Sequence, residues 1–115
     1  MSGRYNRGAV VKGPDVFAGY EHRPYVRLSD DRHPFSDEEA LYAAVTTTRR
    51  SRALQLDADD FRHGGLPRES CVNPWTITSF RHVDMAGREG ILASSTTETI
   101  AKTAAGYLGV GSALE

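Results

Sequence analysis

The apolar residues of this chain arrive in short bursts, each stopped by proline, glycine or a polar cluster, and that spacing decides the fold class. Runs this short suit strands, and the punctuation between them is turn chemistry. Ala9-Val10-Val11 reads as a first strand, followed by a loop from Gly13 to His22 that holds Pro14 and Gly19. Tyr25 to Leu28 is a second strand, with Pro24 at its start or on an edge because proline has no backbone donor. After a loop from Ser29 to Pro34, Ser36-Asp37-Glu38-Glu39 can cap a single helical turn. Leu41 to Thr48 is the strongest strand, ending in three β-branched threonines. Ala53 to Leu56 and Ser70 to Val72 follow, with Gly64-Gly65-Leu66-Pro67 turning between them. Asn73-Pro74 bends the chain before Trp75 to Phe80, and Gly90 to Ala93 makes a last strand.

The character then changes. Ser95 followed by Glu98 is a capping-box pattern, after which Ile100, Ala104, Tyr107 and Leu108 fall on one helical face. Gly109 is a C-terminal stop. The expectation is a mainly β fold, a small barrel with one C-terminal α-helix. At 115 residues there is material for one core, so residues 1–110 form a single domain and residues 111–115 a flexible tail or expression scar. No run is long enough to span a membrane, and the opening residues lack the apolar stretch of a secretory signal. The single cysteine, Cys71, allows no internal disulfide and suits a core position. The expected location is the cytoplasm, with no membrane partner.

Net charge is −1, yet almost all positive charge is arginine; lysine occurs only at Lys12 and Lys102. The planar guanidinium can grip phosphate with two bonds at once. Strand alternation sets Arg23, Tyr25 and Arg27 on one face, with Val26 and Leu28 on the core side. Such a stripe is either an ordinary solvated face or a track for one RNA strand, arginine on phosphate and tyrosine under a base. Along the next strand Leu41, Ala43 and Val45 point inward, so Tyr42, Ala44 and Thr46 point outward. Antiparallel pairing of the two strands brings Thr46 towards Arg23. Beyond it, Thr48-Arg49-Arg50-Ser51-Arg52 is the chain's one dense basic run, either a solvated hairpin or a phosphate-binding rim. Neither a Walker loop, a nucleophile elbow nor a paired-ligand metal motif is present, so neither metal nor cofactor is expected. The histidines His22, His33, His63 and His82 are scattered and read as surface or structural residues; His22 is an accessory candidate only because it adjoins Arg23.

Five segments, in order, resemble the MazF/PemK toxin family: Arg7-Gly8; Arg23-Pro24-Tyr25-Val26-Arg27-Leu28-Ser29; Ala43-Ala44-Val45-Thr46; Gly65-Leu66-Pro67-Arg68-Glu69-Ser70; and Arg81-His82-Val83-Asp84. The resemblance covers roughly residues 7 to 110. It implies a barrel of the Src-homology-3 type that dimerises, cleaves single-stranded RNA and is neutralised by a cognate antitoxin. The family's catalytic Arg and Thr fall on Arg23 and Thr46. RNA-binding candidates are Tyr25, Arg27, Thr48, Arg49, Arg50 and Arg52, with His22 and Arg81 as accessory residues. Two departures are visible: Ala9 stands where the family carries an acidic residue, and the loop from Gly13 to His22 is short. RNA brings its own nucleophile, the 2′-hydroxyl, so the protein need only supply donors to the phosphoryl oxygens. A non-catalytic barrel that binds RNA, an antitoxin or DNA gyrase is the alternative. An acidic antitoxin segment covering Arg23, Arg27, Arg50 and Arg52 is the expected inhibitor.

Overall fold

The computed structural model describes residues 5–110; the segment 111–115, expected as a tail, lies outside them. Seven strands are present: β1 (Ala9–Pro14), β2 (His22–Arg27), β3 (Glu39–Thr46), β4 (Leu54–Leu56), β5 (Phe61–Gly64), β6 (Ser70–Arg81) and β7 (Gly87–Leu92). Among the described residues one α-helix, α1 (Ser94–Tyr107), follows the last strand, and two short 3-10 turns lie at Ala58–Asp60 and His82–Asp84. The strands form one antiparallel curled sheet in the order β4-β6-β3-β2-β1-β7-β5. The mainly β expectation with one C-terminal helix is therefore met, as a half-barrel. No helix among the described residues is long and apolar enough to cross a membrane.

Both faces of the central strands are buried. On one face Ala9, Val11, Tyr25, Tyr42, Ala44, Phe80 and Met85 pack together under the Tyr5 segment. On the other, Val10, Val26, Ala43, Val45, Val72 and Leu92 pack against Ile100 of α1. Each fully buried Val or Ile contributes about 1.5–3 kcal/mol, so the two layers share the stabilisation. This overturns the one-sided reading of β2 and β3. Tyr25, Tyr42 and Ala44 are core residues, whereas Leu41, expected inside, is the partly exposed one. Alternation identified which residues share a face, but it cannot tell a solvated face from a second core layer. Cys71 is buried, as expected.

Three local differences have physical causes. The bend at Asn73-Pro74 does not end a strand. Ala43 pairs with Ile77 and Ala44 with Asn73, so Pro74, Trp75 and Thr76 bulge out of one continuous β6. The Ser36 segment makes a turn that starts earlier, with Glu39 N–H donating to the Phe35 carbonyl at 3.0 Å. The capping box at Ser95 does not form. The helix begins at Ser94 with no side-chain cap, and Glu98 instead meets Arg7 at 3.0 Å. On α1, Thr97, Ile100 and Ala104 are buried, while Leu108 is 82% exposed and Tyr107 only leans edge-on against Trp75. Gly109 takes φ +91 and donates to the Gly106 carbonyl, ending the helix as its sequence position implies.

Candidate active site

The ladder between β2 and β3 is short: Tyr25 faces Ala44, Val26 faces Ala43 and Arg27 faces Tyr42. Pro24 has no N–H to offer, and the ladder stops at Tyr25. On its other side β2 stays paired with β1, Pro24 with Lys12 and Arg23 with Gly13. Continuing the β2–β3 register by two residues sets Arg23 opposite Thr46, just past the last bridged pair. The two residues singled out in the sequence thus share one end of the sheet, where the strands part.

Arg23 is held there by a residue that sequence reasoning missed. The Asp15 side chain is 1% exposed, and its Oδ1 lies 3.6 Å from Arg23 Nε. That distance is an ion pair beyond hydrogen-bond reach, and both Arg23 Nε and Asp15 Oδ2 are buried without a hydrogen-bond partner. Asp15 Oδ1 accepts from the N–H groups of Phe17 at 2.9 Å and Ala18 at 3.0 Å, folding the loop back over β2. Burial pushes the Asp15 carboxyl up, but the N–H groups of Ala18 and Phe17, the Arg23 guanidinium and the Tyr20 N–H outweigh it and hold the group below its ordinary value. The Phe17 ring lies 5.3 Å from the Arg23 guanidinium carbon, a cation–π contact on the exposed side. The signal was present in the chain: Pro14-Asp15 followed by Gly19 is turn chemistry in which the carboxylate bonds its own backbone two residues on.

Thr46 Oγ1 accepts from the Thr48 N–H at 3.1 Å, which fixes its rotamer at the start of the β3–β4 turn. Its own O–H has no acceptor among the described residues and remains available as a donor. The Arg23 side chain is 20% exposed. Arg23 thus carries a partly exposed guanidinium, and Thr46 a hydroxyl with no acceptor among the described residues, at the ends of neighbouring strands.

Tyr25 and Arg27 are not exposed as Arg23 is, which corrects their assignment as an RNA-facing stripe. Tyr25 is 0% exposed and its O–H donates to the Pro14 carbonyl at 2.6 Å. Burial first of all raises its pKa. Arg27 is 1% exposed, its Nε donating to the Ser29 carbonyl at 2.9 Å and its Nη1 to the Tyr5 carbonyl. Arg81 also stands apart. It pairs with Glu39 at the opposite end of β3 from Thr46, about 23 Å away at the usual strand rise, and is bonded to Asp84 at 3.1 Å. His22 is exposed next to Glu21 and alternates to the other side of β2 from Arg23.

The basic turn after β3 spreads in several directions. Arg49 Nη2 donates to Gln55 Oε1 at 2.5 Å, and the Arg50 guanidinium sits 5.4 Å from the Trp75 ring centre. Arg52 is exposed and holds the left-handed conformation at φ 72, and Thr48 is exposed. Among the described residues no cluster of three or more His, Cys, Asp or Glu side chains is placed to hold a metal ion.

No family model matches the sequence, and neither does any curated protein. Solved structures do match. An endoribonuclease in complex with its cognate antitoxin from a mycobacterial species is 21% identical, with a TM-score of 0.66, over 93% of this chain and 97% of that one. The Mycobacterium tuberculosis toxin MazF-mt6 is 19% identical, with a TM-score of 0.68, over 90% and 97%. MazE–MazF from Deinococcus radiodurans gives 16% identity and a TM-score of 0.69 over 91% and 95%. The fold of this chain is that of the MazF toxins.

Proposed function

We propose that this protein is the toxin of a toxin–antitoxin pair, a cytoplasmic endoribonuclease that cuts single-stranded RNA without a metal. What supports the reading is the β2–β3 register, which, continued past Tyr25 and Ala44, sets Arg23 opposite Thr46, on a fold shared with solved endoribonuclease toxins. In this reading the 2′-hydroxyl of the substrate attacks the adjacent phosphate, and negative charge grows on the phosphoryl oxygens. The Arg23 guanidinium and the Thr46 hydroxyl donate to those oxygens, and Asp15 keeps the guanidinium from swinging away. Donors aimed in advance at the developing charge are the largest single term in such reactions, about 10²–10³ in rate for each. The bond from phosphorus to the departing 5′-oxygen breaks, and the products carry a 2′,3′-cyclic phosphate and a 5′-hydroxyl.

An antitoxin partner is supported by solved neighbours that are antitoxin complexes. An acidic segment laid over Arg23, Arg50 and Arg52 fits the charge of that end. Arg27 leaves the list because it is buried. Homodimerisation belongs to the same proposal, since a rim formed by single strand ends offers little groove by itself. The decisive experiment incubates the protein with a long RNA in excess chelator and maps the ends. Cyclic phosphate ends are expected, and cleavage that persists after 2′-deoxy substitution at the cut site refutes the mechanism.

A further inference from the structure

Away from the Arg23 end, a recess of about 270 Å³ opens where β1, β5 and β7 meet the start of α1. Its polar wall is Arg7, Arg62, Arg88, Asn6, Ser94 and Thr97, with no carboxylate among the residues lining it. In a chain of net charge −1, three guanidinium groups around one recess without an acid is an imbalance that a ligand can correct. The neighbouring depression that also includes Arg7 is different, because Asp30 and Asp31 line it beside the arginines.

The three arginines are not equivalent. Arg7 is anchored, its Nε donating to the Leu28 carbonyl at 2.8 Å and its Nη2 to Glu98 at 3.0 Å. Arg62 and Arg88 are exposed and have no ion pair or hydrogen bond among the described residues. Glu98 offsets Arg7, so Arg62 and Arg88 leave two uncompensated positive charges. The backbone adds to them. Helix α1 runs fourteen residues, has no side-chain cap and no acidic residue in its first turn, so the N–H groups of Ser94, Ser95 and Thr96 lack acceptors among the described residues. Ser94 lines the recess, whereas Ser95 and Thr96 line the neighbouring pocket with Asp60, whose carboxylate accepts from the Thr96 hydroxyl at 3.0 Å and the Asp57 N–H at 2.7 Å. Gly8, at φ +92, allows the close approach of β1 to α1: a Cβ there would lie 2.8 Å from Thr97 Oγ1.

We propose that this recess is a phosphate-binding site, in which Arg62 and Arg88 take the anionic oxygens and the first turn of α1 supplies backbone donors. The phosphate comes either from the end or backbone of a nucleic-acid strand or from a free nucleotide. This inference is independent of cleavage, and the test measures binding alone. The full chain is titrated with inorganic phosphate, with adenosine 5′-monophosphate, and with a 2′-deoxy oligonucleotide bearing or lacking a 5′-phosphate, while the amide resonances of Ser94, Ser95 and Thr96 are followed. Saturable shifts of these amides are expected with phosphate. Removing both free charges in Arg62→Ala/Arg88→Ala should weaken binding roughly tenfold or more, and both side chains are exposed, so the fold is retained. Arg62→Gln/Arg88→Gln, which keeps side-chain bulk, should show the same loss. Preference for the 5′-phosphorylated strand identifies a terminal monoester. Equal affinity of the two strands identifies the internal backbone, and binding of the mononucleotide alone identifies a free nucleotide. Silence of the three amides in phosphate, or wild-type affinity in both double variants, overturns the site. A failed RNA-cleavage assay alongside intact phosphate binding separates this inference from the proposed activity.

Discussion

Arg23 and Arg27 lie two positions over from Tyr25 in opposite directions, on the same face of the same strand, yet they are different objects. Arg27 is sealed under the Tyr5 segment with its guanidinium spent on backbone carbonyls. Arg23 stands at the strand's free end with one charged neighbour, a stacked phenyl ring and an unbonded Nε. The difference is made by the ladder: where β3 still pairs with β2, the face is roofed, and where pairing stops it opens. Side-chain direction is thus set by alternation, and chemical role by distance from the end of the strand pair.

That contrast predicts a separation of stability from activity. Arg27→Ala should destabilise the protein most, by about 3 kcal/mol or more, because each charge-assisted bond to a buried carbonyl contributes about 1.5–3 kcal/mol. Denaturant unfolding checks this, and a near-wild-type midpoint would erase the distinction between the two arginines. Arg23→Ala should destabilise less than Arg27→Ala, by about 1–2 kcal/mol, because the buried Asp15 carboxylate loses its charge partner, while cutting RNA turnover at least ~100-fold. Arg23→Lys should recover only part, since a point charge does not reproduce the planar fork. Thr46→Val, which keeps the branched shape and removes only the hydroxyl, should reduce turnover about 100-fold, the loss of one preorganised donor, with stability little changed.

Asp15→Asn is a finer probe because the amide oxygen can still accept from Phe17 and Ala18. Only the charge facing Arg23 is lost, and the expected stability change is under about 1 kcal/mol. Its sign with pH is definite. The folded carboxyl titrates below its ordinary value of 3.8, so its contribution is present above that pH and fades as pH falls through the lower folded pKa. The stability curves of wild type and variant should therefore converge in acid; curves that stay parallel down to complete protonation would remove Asp15 as a charge partner. The smallest effect belongs to Arg50→Ala, which should lower the slope of log affinity against log salt by about 1 and leave the rate of the bound complex alone.

Much of this arrangement was legible in the residues. The antiparallel pairing of β2 with β3 followed from alternation, and the helix stop from Gly109. Strand β5 was not legible, because Phe61-Arg62-His63-Gly64 has no apolar alternation and exists by pairing with β7. Asn73-Pro74 read as a break because proline interrupts a ladder, whereas the bulge lets the strand resume at Ile77 in a shifted register. Burial of Arg27 was hidden for a different reason. Nothing local distinguishes a guanidinium bound for solvent from one whose carbonyl partners, at Tyr5 and Ser29, are brought to it by the chain's path.

The two-sided burial of the central strands has a consequence for how such a molecule can change over generations. Substitutions within β1, β2 and β3 strike one core layer or the other, so the middle of the sheet has little freedom to explore new chemistry. Substitution costs least where strands end: the short loop around Asp15, the arginine-rich turn after Thr46 and the opening turn of α1. Loops of this kind tolerate insertion and replacement while the scaffold holds still. Whatever this end of the molecule binds, its preference can therefore shift by lengthening or recharging a loop while the packed strands stay in place.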